Sequence, residues 1–218
     1  MKAITEYDAI VIGSGISGGW AAKELCEKGL KTLVLERGRD VQHIKDYPTM
    51  SNPSWDFTLR GSISRQQKEE NPLISKAAGY DATTAHFFVK DADHPYVQEK
   101  PFEWIRGYQV GGKSLTWGRA CARWAETDFT APERYGYGIA WPISYQDIAP
   151  WYSHVEKFVG VCGDKEGIDT MPDGEFLPAY ELNCVEQHLR TVIAEKFGRH
   201  YVSGRWAQLT EPQPIHLE

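Results

Sequence analysis

Residues 7–37 read YDAIVIGSGISGGWAAKELCEKGLKTLVLER, and no other stretch limits the possible folds so tightly. Residues 7–12 are a short apolar run, the pattern of a buried parallel strand. Gly13, Gly15 and Gly18 follow at Gly-x-Gly-x-x-Gly spacing. Residues 17–28 predict a helix with Ala21, Ala22 and Leu25 on one face and Gly29 as its stop. Residues 31–35 predict a second apolar strand that ends in Glu36. Gly13 permits the tight turn out of the strand, Gly15 lets a pyrophosphate approach the backbone, and Gly18 lets helix and strand pack closely. The helix start offers unpaired N–H groups and the positive end of its dipole to phosphates. A carboxylate at the tip of the second strand suits a ribose. Strand, turn, helix, strand and acid together point to an adenine dinucleotide site. The plainer alternative is a structural crossover with no ligand.

A chain of 218 residues, 41% hydrophobic, has room for one large domain or two small ones and can bury a core. Its formal net charge of -6 argues against nucleic acid or an anionic membrane as the main partner. No run approaches the about 18 apolar residues of a membrane span. The opening MKAITEYDAI has no apolar signal core, so a cytoplasmic location is expected. Cys26, Cys121, Cys162 and Cys184 are too scattered for a metal-type or redox-type pair, and reduced thiols are expected.

Residues 38–79 are polar and irregular, broken by Pro48, Pro53 and Pro72. Within them SISRQQKEEN (62–71) predicts a solvated loop or short exposed helix. So long a connection would cover a ligand, meet a second subunit, or be a surface insertion. Residues 84–89 (TAHFFV) predict a short strand, with His86 as a satisfied structural residue. Asp91, Asp93 and His94 form a polar turn with no further ligands at metal-binding spacing.

The second informative stretch is PFEWIRGYQVGGKSLTWGRACARW, residues 101–124. Arg106 and Gly107 lead through Val110 to Gly111 and Gly112, then Ser114 and Gly118. Adjacent glycines followed by a hydroxyl suggest amides pressed against an anionic or flat ligand. Arg106 is suited to pair with a phosphate and Ser114 to donate to one. An ordinary Gly-Gly turn into a strand is the alternative.

Farther on, Ser144 and Asp147 resemble a capping box, with Pro150 in the first turn of a helix that stops at Gly160. His154 and Glu156 on it are expected at the surface. Asn183, with Glu186 three residues on, starts another helix. Val185, Leu189, Val192, Ile193 and Phe197 form its apolar face, and Gly198 ends it. Residues 200–210 have room for one or two short strands.

With both glycine stretches in view, the chain resembles the N-terminal part of a glucose-methanol-choline (GMC) oxidoreductase. The likeness is strongest in YDAIVIGSGISGG…LVLERGR and continues in RGYQVGGKSLTWGRACAR. WPISYQDIAPWY and VEKFVGVCG are similar to the sugar-oxidising branch, which includes pyranose oxidases, C-glycoside 3-oxidases and gluconate or fructose dehydrogenase large subunits. The resemblance implies an α/β fold: a Rossmann-like FAD-binding domain with a parallel sheet over residues 1–140, and an incomplete substrate domain over 141–218. It implies FAD held at its pyrophosphate by Gly13, Ser14, Gly15, Ile16, Ser17 and Gly18, and at its ribose by Glu36, with Arg37 beside it. Arg106, Val110, Gly111, Gly112, Ser114, Thr116, Trp117 and Gly118 would approach the phosphates and flavin ring. In pyranose oxidases the position of Thr116 is a histidine bonded to the flavin; threonine cannot make that bond, so dissociable FAD is expected.

The resemblance implies an enzyme that oxidises a sugar or glycoside hydroxyl by hydride transfer to flavin. The family's catalytic histidine, with its histidine or asparagine partner, has no counterpart here, and His216 comes too early. The catalytic residues are therefore expected on a missing C-terminal half or a second polypeptide, with exposed apolar surface where that partner docks. The competing readings are a nucleotide-binding assembly or regulatory subunit without turnover, and an NAD-dependent enzyme using Glu36 on the ribose.

Overall fold

β1 (Ala9–Ile12) and β2 (Thr32–Leu35) pair in parallel, Ala9 opposite Thr32 and Ile12 opposite Leu35. The connection between them is α1 (Ile16–Glu27), which makes a right-sized crossover for a Rossmann-type unit. The computed structural model describes residues 6–214. These fall into two compact units, divided between Trp117 and Gly118.

In the first unit the crossover is followed by a long excursion. It holds α2 (Arg65–Glu70) and several single 3-10 turns. The Ser64 hydroxyl accepts from the Gln67 amide while the Gln67 side chain accepts from the Ser64 amide, a reciprocal cap that starts α2 in its charged stretch. Ile74, Phe87 and Val89 are the buried apolar residues here, beside buried Asn71 and Gln109. The excursion returns to its origin: Gly38 packs so tightly on the Tyr108–Gln109 backbone that a Cβ would collide there. Arg39 and Gln109 form a parallel bridge at the same point.

Two expectations about its strands fail in this unit. Residues 84–89 are not a strand but carry the 3-10 turn Ala85–Phe87. The Asp81 carboxylate accepts from the Thr83 and Thr84 amides and turns the chain before extended pairing begins. β1 is not buried either: Ile10 is 60% and Ile12 85% exposed, because only one strand pairs with it among the described residues.

The second unit contains α3 (Glu126–Arg134), α4 (Tyr145–Val159), β3 (Val161–Cys162), α5 (Cys184–Phe197) and β4 (Trp206–Ala207). β3 and β4 pair antiparallel, and Ala120 bridges Trp206 from the other side. Ala125, Phe129, Val161 and Cys162 are its buried apolar residues. Pro150 lies inside α4 rather than in its first turn, since the Asp147 carboxylate already fixes the start by accepting from the Ser144 amide and hydroxyl. Glu156, expected at the surface, is buried. Its carboxylate accepts from Arg123 Nε at 2.8 Å and Arg123 Nη2 at 2.6 Å, and from the Glu175 amide. Gly174 has no side chain because Glu156 occupies that space. Arg123 also donates to Tyr145 and Ser153, and Glu156, first among the causes, raises its pKa.

Asn183 caps α5 through the Val185 and Glu186 amides, and Gly198 ends it in the left-handed region. Its apolar face is open, with Val185 and Phe197 more than half exposed. The break at residue 118 differs from the expected domain limits of 1–140 and 141–218. Residues 118–140 pack with the later segment because Arg123 reaches α4 and Cys121 donates its amide to Arg205. All four cysteines are free thiols. No helix among the described residues is long and apolar enough to cross a membrane.

Candidate cofactor site

The first unit contains a cleft of about 460 Å³ lined by Ile12, Gly13, Gly15 and the first turn of α1 on one side, and by Lys113, Ser114 and Trp117 on the other. Gly13 has φ +91°, a conformation that glycine adopts without strain as the chain leaves β1. A Cβ at Gly18 would collide with the Gly13 carbonyl oxygen, whereas one at Gly15 would meet open space. The third glycine thus serves packing, and the second leaves the backbone open to a ligand. Gly15 is the N-cap of α1 and supplies no side-chain cap, and the first turn contains no acid. Uncapped amides and the positive helix end therefore face a cleft that suits a phosphate.

The second glycine element closes on the first. Gly111 (φ +87°) and Gly112 (φ +54°) begin the turn Gly112–Leu115. A Cβ on Gly112 would lie 3.3 Å from Gly15 Cα, so the two backbones nearly touch. The Gly111 amide donates to Ser14 Oγ at 3.0 Å. Ser14 Oγ in turn donates to Glu36 Oε2 at 2.6 Å, and the Ser14 amide donates to the same oxygen at 2.8 Å. Glu36 Oε1 accepts from the Gly38 amide at 2.7 Å. These bonds, the Ser14 hydroxyl first, hold the Glu36 carboxyl down at about 2.

Most of the residues singled out by sequence converge here. Gly13, Gly15, Ile16, Ser17, Gly18, Ser114 and Trp117 line the cleft, and Ser14, Glu36, Gly111 and Gly112 form its hydrogen-bonded back. Arg37 stacks its guanidinium 3.8 Å from the centre of the Tyr108 ring. Val110 donates its amide to Arg39 in the same seam. Thr116 ends the second turn, its hydroxyl donating to the Lys113 carbonyl. Gly118 belongs to the second unit.

Arg106 is not in the cleft lining. It is buried among Tyr96, Trp104 and Tyr108 and donates to the His94 carbonyl and the Tyr108 hydroxyl. Its two terminal nitrogens are taken up by the protein's own groups, while its Nε is buried without a hydrogen-bond partner. His86 also departs from the satisfied role expected of it: its Nε2 is buried without a hydrogen-bond partner beside Phe87. Burial first, then the charge of Arg39, pushes its pKa down. Sequence reasoning missed Lys113 in the cleft and Ser14 as a linker; the position of Ser14 between two glycines was the available signal. His216 lies outside the described residues.

Residues 11–69 match a family described as an NAD(P)-binding Rossmann-like domain. The chain is 29% identical over 164 residues to paromamine 6'-oxidase of Streptomyces fradiae, covering 74% of this chain and 24% of that protein. It is 27% identical over 164 residues to the fructose dehydrogenase large subunit of Gluconobacter japonicus, covering 72% and 27%. It is 26% identical over 172 residues to the gluconate 2-dehydrogenase flavoprotein of Pantoea cypripedii, covering 73% and 26%. The chain therefore spans about a quarter of the length of these relatives. The chain, whose two glycine elements build one cleft, is thus similar over about three quarters of its length to oxidases and dehydrogenases of the GMC flavoprotein type.

Proposed function

We propose that the chain is the FAD-binding part of an oxidoreductase that oxidises a sugar or glycoside hydroxyl. The observation that carries this is the approach of Gly112 to Gly15, so close that a Cβ added to Gly112 would lie 3.3 Å from Gly15 Cα, which makes one cleft from two glycine elements far apart in sequence. A single Rossmann turn needs no such second element. The residues fit the group: the uncapped start of α1 and open Gly15 suit the pyrophosphate, and the Glu36 carboxylate, held ionised at the tip of β2, suits a ribose hydroxyl. Ser114 and Trp117 line the other wall, where they would orient the isoalloxazine. FAD supplies the hydride acceptor when bound.

No histidine lines the cleft among the described residues, so the proton-accepting residue is assigned to further sequence or a partner chain. Exposed Ile10 of β1, which is outside the cleft lining, supports such a partner. Thr116 supports non-covalent FAD, because a hydroxyl at that position offers no nucleophile of the imidazole type. The test is the visible spectrum of the chain after incubation with FAD and desalting. A flavin band is expected, with all flavin released into the supernatant on acid precipitation. A colourless chain, or flavin in the pellet, contradicts this. A nicotinamide dinucleotide is the second reading, favoured by the description of the matched family. Titration with NADH and FAD in parallel separates the two. A non-catalytic assembly subunit is separated by assaying an artificial electron acceptor with and without the completing polypeptide.

A further inference from the structure

We propose that Ser14 is a positioning residue that locks the Gly111–Gly112 turn onto the start of α1, so that seating of the flavin half of the cofactor depends on its hydroxyl. The inference rests on the FAD reading above and adds to it a division of labour inside one residue. The Ser14 amide donates to Glu36 Oε2 and requires no side chain. The Ser14 hydroxyl does two further things: it donates to the same oxygen at 2.6 Å and accepts the Gly111 amide at 3.0 Å. With its own proton committed to a carboxylate, the hydroxyl oxygen is polarised and presents a fixed lone pair to Gly111.

The geometry shows why the second turn needs that bond. Gly111 and Gly112 both have positive φ, and glycine loses more conformational freedom on ordering than any other residue. The Ser114 hydroxyl donates to the Gly111 carbonyl, which closes the turn on itself but does not fasten it to the first element. The Gly111 amide is the group that does so, and Ser14 is its partner across 97 positions of sequence. The turn carries Ser114 and Trp117, the far wall of the cleft. Adenosine and pyrophosphate, in contrast, would be held by groups of the first element: α1 amides, Gly15 and Glu36.

Removing the hydroxyl therefore has a directional effect. In Ser14→Ala the backbone bond still holds Glu36, so ADP affinity should change by less than about twofold, while FAD affinity should fall about tenfold for the lost hydrogen bond. The flavin absorption band should also lose its vibrational structure as the ring becomes solvated. Ser14→Thr keeps a hydroxyl and should restore FAD affinity and spectrum. In the cofactor-free full chain, the Gly111 amide should exchange with deuterium about tenfold faster in Ser14→Ala than in the wild type.

Unchanged Gly111 exchange, parallel falls in ADP and FAD affinity, or a threonine variant that behaves like alanine each overturns the proposal. Ser14→Gly carries the same comparison if alanine does not fold, since glycine fits any backbone conformation. If neither folds and threonine does, the hydroxyl supports the whole unit rather than one turn, and the proposal also fails. A wild-type chain that takes up no FAD overturns the flavin reading instead, and the Gly111 amide then reads the fastening by itself.

Discussion

Gly15 and Gly18 sit three positions apart in one turn yet should respond oppositely to the same added methyl. Gly18→Ala drives a Cβ into the Gly13 carbonyl and should destabilise the unit by about 1–3 kcal/mol, read as a lower urea midpoint. Gly15→Ala meets open space in an extended N-cap conformation and should cost less than about 1 kcal/mol. It should nonetheless weaken dinucleotide binding at least about tenfold, because the methyl would stand where the proposed cofactor's pyrophosphate would approach. Equal binding by Gly15→Ala and wild type contradicts the placement of the cofactor. Acid stability follows from two other residues. Burial, then Arg39, lowers the pKa of His86 from 6.5, so the unfolded chain takes up that proton first and stability falls as pH drops below 6.5. Glu36 is depressed from 4.5 to about 2, so its contribution is complete above pH 4.5 and is lost as pH falls toward 2. Urea midpoints measured across pH should show both declines. His86→Phe should remove the upper one, and Glu36→Gln the lower one, with Glu36→Gln less stable at neutral pH.

Among the elements, α4 depends on a pair that its own periodicity does not announce. Arg123→Met strips Glu156 of its partner inside the second unit and should destabilise the chain by about 3–5 kcal/mol. Adding Glu156→Leu should recover only part of this, since the Glu175 amide then loses its acceptor as well. Thermal unfolding of the two variants checks the ordering. Glu156 also shows where sequence reading stops. The β1–α1–β2 crossover could be read because its signals are local: glycine spacing, apolar runs and a terminal acid lie within one stretch. The caps of α4 and α5 were readable for the same reason. Glu156 was not, because its partner Arg123 lies 33 positions away and nothing in the helix itself marks the burial. The strand expected at 84–89 failed because one carboxylate, Asp81, outweighed β propensity. In the cofactor site, both glycine elements stood out in sequence. Their fastening through Ser14 did not, since a serine between glycines in a turn looks like filler until its partners are known.

For the molecule as a whole, the open apolar residues are as informative as the cleft. Ile10 on β1, outside the cleft, and Val185 and Phe197 on α5 are large side chains left in solvent within their respective units. Exposed apolar surface of this kind calls for a covering partner or produces self-association. The chain alone should therefore bind a hydrophobic dye and elute from size exclusion with a concentration-dependent volume. Mixing with the completing polypeptide proposed above should suppress both, and a well-behaved dye-silent monomer would contradict the need for one.

The seam where Gly38 packs on Tyr108 and Gln109 has a consequence for how such chains diversify. Everything between those points starts and ends at one narrow neck within the first unit. The entropy of closing a loop grows only slowly with its length, by about 0.6 kcal/mol per doubling. The excursion can thus be lengthened, shortened or exchanged like a cassette while the neck stays fixed. Descendants of one ancestor could trade these inserts freely, provided position 38 kept its hydrogen.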